Sequence, residues 1–176
     1  MAEAKVVITS NPLEIRSQEL GISLKQFTPE DAGAIFLLID RSGGHLSQFG
    51  DETASKYPTE KAVLDSITNP KNPKKLRLGV WDAGTLVGSI NLIPDAGGEQ
   101  KAEIGYYLGG EFTKKGYMGR ALRILVDYAF GELDYESLFG NVHPDNQKSQ
   151  KVLLKAGFMQ TGTLENGDFV YTINKK

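Results

Sequence analysis

Ala102-Glu103-Ile104-Gly105-Tyr106-Tyr107-Leu108 runs straight into Gly109-Gly110-Glu111-Phe112-Thr113-Lys114-Lys115-Gly116-Tyr117-Met118-Gly119. The first seven residues read as a strand. Alternation places Ala102, Ile104 and Tyr106 on one face and Glu103, Gly105 and Tyr107 on the other. Beyond the glycines, Met118, Ala121, Leu122, Leu125, Val126 and Ala129 recur at i, i+3, i+4, i+7, i+8 and i+11, the stripe of an amphipathic helix over about Tyr117 to Phe130. The unit is therefore strand, glycine-rich loop, helix. Such a loop at a helix N-terminus can aim several backbone N–H groups at one anion. Lys114, Lys115 and Arg120 add positive charge around it. A plain tight connection with solvated lysines is the competing reading. The spacing is neither that of a Walker loop nor that of a dinucleotide fingerprint.

Working outward, Ile22 to Phe27 alternates as a half-buried strand, and Thr28-Pro29-Glu30-Asp31 starts a helix whose buried run is Ala34 to Ile39. Residues 41–58, polar and glycine-bearing, read as a long loop or broken helix. Thr59 to Ile67 reads as a second helix. Leu76 to Trp81 and Thr85 to Ile93 form a hairpin around Asp82-Ala83-Gly84, and Gly88 within it marks a bulge or close packing. Ser137 to Val142 is a strand, and Asn146 to Ala156 a helix stopped by Gly157. Phe158 to Leu164 and Phe169 to Ile173 form a terminal hairpin around Asn166-Gly167. Residues 1–20 read as a loose arm or an extra edge element. The order β-α-α-β-β-β-α-β-α-β-β predicts one α/β domain over residues 1–176 with a mixed sheet.

Composition narrows the function classes. With 20 basic and 22 acidic residues in 176, the net charge is 20 − 22 = −2, against a nucleic-acid binder. There is no cysteine and only His45 and His143, so thiolate chemistry, disulfides and multi-His metal centres are excluded. No apolar run reaches the roughly 18 residues of a membrane span, and a soluble, cytoplasmic chain with no metal is expected.

Two motifs carry a resemblance. The strand Ala102 to Leu108 with Thr113-Lys114-Lys115-Gly116-Tyr117-Met118 resembles the acetyl-CoA motif of the GNAT N-acetyltransferases. Asn141-Val142-His143-Pro144-Asp145-Asn146-Gln147-Lys148-Ser149, with Lys155-Ala156-Gly157-Phe158, resembles that family's second hallmark. The Glu-Ile-Gly-Tyr strand and the Asn146…Ser149 spacing are similar to the RimJ/RimL branch, which acetylates N-terminal amines of ribosomal proteins. The resemblance covers roughly residues 22–173. It departs from the family pattern at Thr113, where Arg or Gln is usual, and at Met118, where Gly or Ala is usual.

The resemblance implies a largely antiparallel sheet, splayed at the cofactor strand, with helices on both faces. It implies acetyl-CoA as co-substrate, with its pyrophosphate on the amides of Lys114, Lys115, Gly116, Tyr117, Met118 and Gly119. The backbone of Tyr106 and Leu108 would pair with the pantetheine arm, and Asn146 would bond it; as a residue, Asn146 also reads as a helix cap. Glu103 would remove the amine proton, against the alternative of a solvated strand glutamate. Ser149 would protonate the leaving thiolate, because Leu153 stands where many relatives carry a tyrosine. Its alternative is a buried serine bonded one turn back. His143 and His45 read as loop residues, and Asp51 and Glu52 as solvated charge or attractors of a cationic acceptor. The partners implied are acetyl-CoA and an amine, either a protein N-terminus or a small amine such as a polyamine, amino sugar or antibiotic. A catalytically silent acyl-CoA-binding module is the reading from another class, and a homodimer is left open.

Overall fold

The computed structural model describes residues 6–98 and 100–176. Its strands form one sheet in the order β1-β2-β3-β4-β5-β6-β7-β9-β8. They are β1 (Val6–Ser10), β2 (Leu13–Ser17), β3 (Ile22–Gln26), β4 (Leu76–Asp82), β5 (Thr85–Pro94), β6 (Lys101–Leu108), β7 (Ser137–Val142), β8 (Met159–Thr163) and β9 (Phe169–Asn174). The helices are α1 (Ala32–Leu46), α2 (Thr53–Lys56), α3 (Glu60–Thr68), α4 (Tyr117–Gly131) and α5 (Gln147–Lys155). Every strand pair is antiparallel except β6 with β7. The expected mixed, largely antiparallel sheet is what forms.

Strand alternation sorts the core into two layers. Ile22, Leu24, Leu78, Val80, Ile90, Leu92, Ala102 and Ile104 pack on the α4 stripe, whose predicted residues Met118, Ala121, Leu122, Leu125, Val126 and Ala129 are all buried. On the opposite face, Phe27, Leu86 and the partly buried Trp81 and Tyr107 meet α1 and Val63 of α3. Helices therefore cover both faces.

Of the two readings of the N-terminal segment, residues 6–17 take the extra edge element rather than the loose arm: they form the hairpin β1–β2, which extends the sheet through β3. Leu13, Ile15 and Ser17 are buried on alternate positions, a period too short to stand out over a segment that also holds exposed Val6, Val7 and Ile8. Residues 1–5 lie outside the described residues. The first helix does not end near Ile39 but runs to Leu46, because Ile35, Leu38, Ile39, Ser42 and Leu46 keep one buried face through Gly43 and Gly44. The remainder of 41–58 holds a short 3-10 turn, Gln48–Gly50, and the single-turn α2.

Gly88 provides both expected features. The register moves from Val80↔Gly88 to Trp81↔Leu86, leaving Val87 as the extra residue of a bulge. A Cβ on Gly88 would also meet the Tyr107 carbonyl oxygen at 2.4 Å, so only glycine lets β5 approach β6 there.

Candidate active site

β6 and β7 stay together only briefly. Their parallel pairing covers Lys101↔Ser137, Ala102↔Leu138 and Glu103↔Phe139, after which β7 follows β9 to Val142↔Phe169. Past Glu103 the two strands part. Gly140 sits at the fork, where a Cβ would meet Ile104 Cγ1 at 3.3 Å. On the other side of β6, the Gly109 N–H donates to Val87 O at 3.0 Å. Antiparallel alternation then turns the N–H and C=O groups of Tyr106 and Leu108 away from β5, toward the gap that β7 has left. An extended ligand could add there as a strand.

The gap opens into a cleft of about 270 Å³ lined by Ile104, Gly105 and Tyr106 of β6, and by Gly140, Asn141 and Val142 of β7. His143, Asn146, Ser149 and Leu153 line it from the chain leading into α5 and from α5 itself. Gln48 to Asp51 and Asp168 complete the wall. Phe49, held at φ 58°, lies with its ring centroid 5.6 Å from that of His143.

Glu103 does not itself line this cleft; it is joined to a residue that does, Asn141, whose Nδ2 donates to Glu103 Oε1 at 3.2 Å. Partial burial pushes the Glu103 carboxyl above the ordinary carboxylate range. The Asn141 bond and the Lys75 charge pull it back, and Asp95 adds to the upward shift. Asn141 was not singled out from the sequence, because its approach to Glu103 depends on the register of two strands far apart in the chain.

Ser149 lies in the first turn of α5, on the inward stripe with Leu153, which is buried and has no proton to give. The Tyr106 hydroxyl donates to the Ser149 carbonyl oxygen at 3.3 Å, and burial raises the Tyr106 pKa to about 12. A second hydroxyl thus stands beside Ser149, where the family resemblance implied only backbone contact for Tyr106. Asn146 caps α5, its Oδ1 accepting the Ser149 N–H at 3.2 Å.

Lys114 to Gly119 do not line the cleft. They lie beyond Leu108, at the far end of the free β6 edge. Lys114 has φ 65° and Gly116, which precedes α4, has φ 76°; no side chain caps that helix. The first-turn N–H groups of Tyr117, Met118 and Gly119 therefore lack intrahelical partners. Met118 is buried in the core beneath the loop, so a large residue fits at that position. Arg120 is directed elsewhere than expected: it donates to Leu20 O at 2.9 Å and to Lys115 O at 3.4 Å, and its guanidinium lies over the Tyr117 ring at 4.7 Å. The loop is fixed to α1, where buried Ser42 accepts the Gly110 N–H at 3.0 Å.

The sequence pattern of the acetyltransferase (GNAT) domain matches residues 22–159. The chain belongs to the GNAT acetyltransferase family. It is 42% identical over 124 residues to "Probable N-acetyltransferase YjcK" of Bacillus subtilis, covering 66% of this chain and 68% of that protein. It is 30% identical over 153 residues to "Putative ribosomal N-acetyltransferase YdaF" of Bacillus subtilis, covering 85% and 84%. Among solved structures, RimL, an acetyltransferase of ribosomal L7/L12 in complex with coenzyme A, shares the fold. Its TM-score is 0.77 at 18% identity, over 88% of this chain and 94% of that one. The ribosomal-protein-S5-alanine acetyltransferase of Vibrio fischeri gives 0.77 at 20% identity, over 88% and 93%.

Proposed function

We propose that this acetyltransferase moves the acetyl group of acetyl-CoA to the N-terminal amine of a protein, by direct attack and without an acyl-enzyme. The carrying observation is the fork between β6 and β7. One side offers a free strand edge leading from a loop of exposed amides, and its apex meets a carboxyl held above its usual pKa. These residues fit acetyl-CoA: the amides of Lys114 to Gly119 suit its pyrophosphate, and the Tyr106 and Leu108 backbone suits the amide-bearing pantetheine arm. The Asn146 side chain, while capping α5, faces the same cleft.

The amine nitrogen attacks the thioester carbon, the C–S bond breaks, and its electron pair leaves on sulfur. Glu103 takes one amine proton, and Ser149 supplies a proton to the thiolate. Model α-amines titrate near ~7.7–8.0 and lysine near ~10.4, so a carboxylate of raised pKa is adequate for the α-amine. The relatives named for ribosomal proteins support a protein N-terminus.

The experiment is thiol release from acetyl-CoA with peptides bearing free N-termini and with spermidine, an amino sugar and an aminoglycoside. Turnover on peptides above all small amines is the expected result. Turnover confined to a small amine would reassign the acceptor, and acetyl-CoA binding without turnover on any amine would make the protein a silent acyl-CoA module.

A further inference from the structure

Lys114 holds φ 65°, a left-handed backbone that is costly for a residue with a Cβ. Such strain persists only where the surroundings over-determine it. Arg120 is part of that hold. From the first turn of α4 its side chain reaches back, and Nη2 donates to Lys115 O at 3.4 Å. Nη1 donates to Leu20 O at 2.9 Å, in the turn between β2 and β3, where the Leu20 side chain packs on the core. The guanidinium carbon lies 4.7 Å from the centroid of the Tyr117 ring, whose hydroxyl donates to Asp82 at the end of β4. One side chain thus ties the loop to a turn of the sheet directly, and to the end of β4 through Tyr117.

A trans peptide is planar, with its N–H antiparallel to its C=O. Holding Lys115 O toward Arg120 therefore points the Gly116 N–H the opposite way, away from the guanidinium. Gly116 is exposed, and a Cβ built on it meets nothing within 4 Å. We infer that Arg120 sets the direction of the Gly116 amide, and so prepares the loop for the pyrophosphate of acetyl-CoA without touching it. This rests on the acetyl-CoA reading of the loop above. Arg120 is a positioning residue. The anion meets an amide already aimed, so less ordering is left to the binding step. Lysine would keep the charge but not the hold, because an ammonium has no planar fork to span Leu20 O and Lys115 O together.

The test is acetyl-CoA affinity by calorimetry, which needs no acceptor amine, with folding checked by thermal midpoint. Wild type, Arg120→Met, Arg120→Lys, Gly116→Val and the Gly116→Val, Arg120→Met double variant are compared. Arg120→Met should bind roughly tenfold more weakly, near the low end of one hydrogen bond from a charged donor. Arg120→Lys should still lose about threefold or more, which a charge acting at a distance would not produce. In the Gly116→Val background, where the amides are already turned, Arg120→Met should cost less than about twofold, so the two changes are non-additive. Should Arg120→Met or Gly116→Val not fold, Arg120→Lys and Gly116→Ala carry the same cycle. Wild-type affinity in Arg120→Met, full recovery in Arg120→Lys, or an undiminished loss in the Gly116→Val background would overturn the inference alone. Wild-type affinity in Gly116→Val, or a wild type that binds no acetyl-CoA, would overturn the loop reading and the inference with it.

Discussion

At the scale of single residues, Glu103 and Ser149 have separable signatures. Glu103→Gln keeps the shape and removes the proposed base, so the rate should fall on the order of 10²–10⁴-fold at neutral pH and recover partly toward pH 10, as more acceptor is neutral. Ser149→Ala should show no such recovery. If it retains most of kcat, Tyr106→Phe in the same background should remove the remainder, because that phenol lies 3.3 Å from the Ser149 carbonyl. Asn141→Ala removes the bond that pulls the Glu103 pKa down, so the acid limb of kcat/KM should move to higher pH. Folding lifts the Glu103 pKa, so this carboxyl adds stability only where it is protonated and loses it as pH rises through the folded value. Glu103→Gln should therefore melt no lower than wild type at pH 7, and a clear drop would contradict the raised pKa. Glu103 and Ser149 could be singled out from strand and helix periodicity together with a family motif. Asn141 and the Tyr106 phenol could not, because their contacts are set by where β7 and α5 dock.

At the scale of elements, the loop before α4 depends on backbone shape. Gly116 sits at φ 76° with nothing within 4 Å of a built Cβ, so Gly116→Val acts through conformation rather than through a clash with the protein. Left-handed backbone at a β-branched residue costs on the order of 1–3 kcal/mol, and relaxing it would turn the first amides of α4 away from a shared anion. Calorimetry should show acetyl-CoA affinity falling at least tenfold (about 1.4 kcal/mol), and more than in the Lys114→Ala, Lys115→Ala double variant, whose side chains are exposed. Affinity unchanged in folded Gly116→Val would remove the loop from the site. Leu122, fully buried on the α4 stripe, should lose about 2–5 kcal/mol of unfolding free energy in urea when changed to Ala. That stripe was legible residue by residue, since 3.6-residue periodicity does not depend on distant partners. The end of α1 was not: Gly43 and Gly44 lower helix propensity, and only packing of Ser42 and Leu46 carries the helix through them.

At the scale of the molecule, the proposed function depends on where the sheet separates. Alternating and β-branched stretches indicated which segments are strands, but not that β6 and β7 pair over only three residues and then diverge. Gly140 stands at the fork and Ser149 and Leu153 of α5 line the gap, and neither leaves a local pattern. The N-terminal hairpin was legible only as one of two alternatives, arm or edge element, because its buried positions acquire meaning only against β3. On the function proposed above, acetyl-CoA lies along the free edge of β6, from the α4 loop to the fork. Amide hydrogen exchange with and without acetyl-CoA tests this most directly. Slowed exchange at Tyr106, Leu108 and Lys114 to Gly119, with the β1–β2 hairpin unchanged, is the predicted result. Protection absent from those amides, or appearing at the hairpin instead, would contradict it.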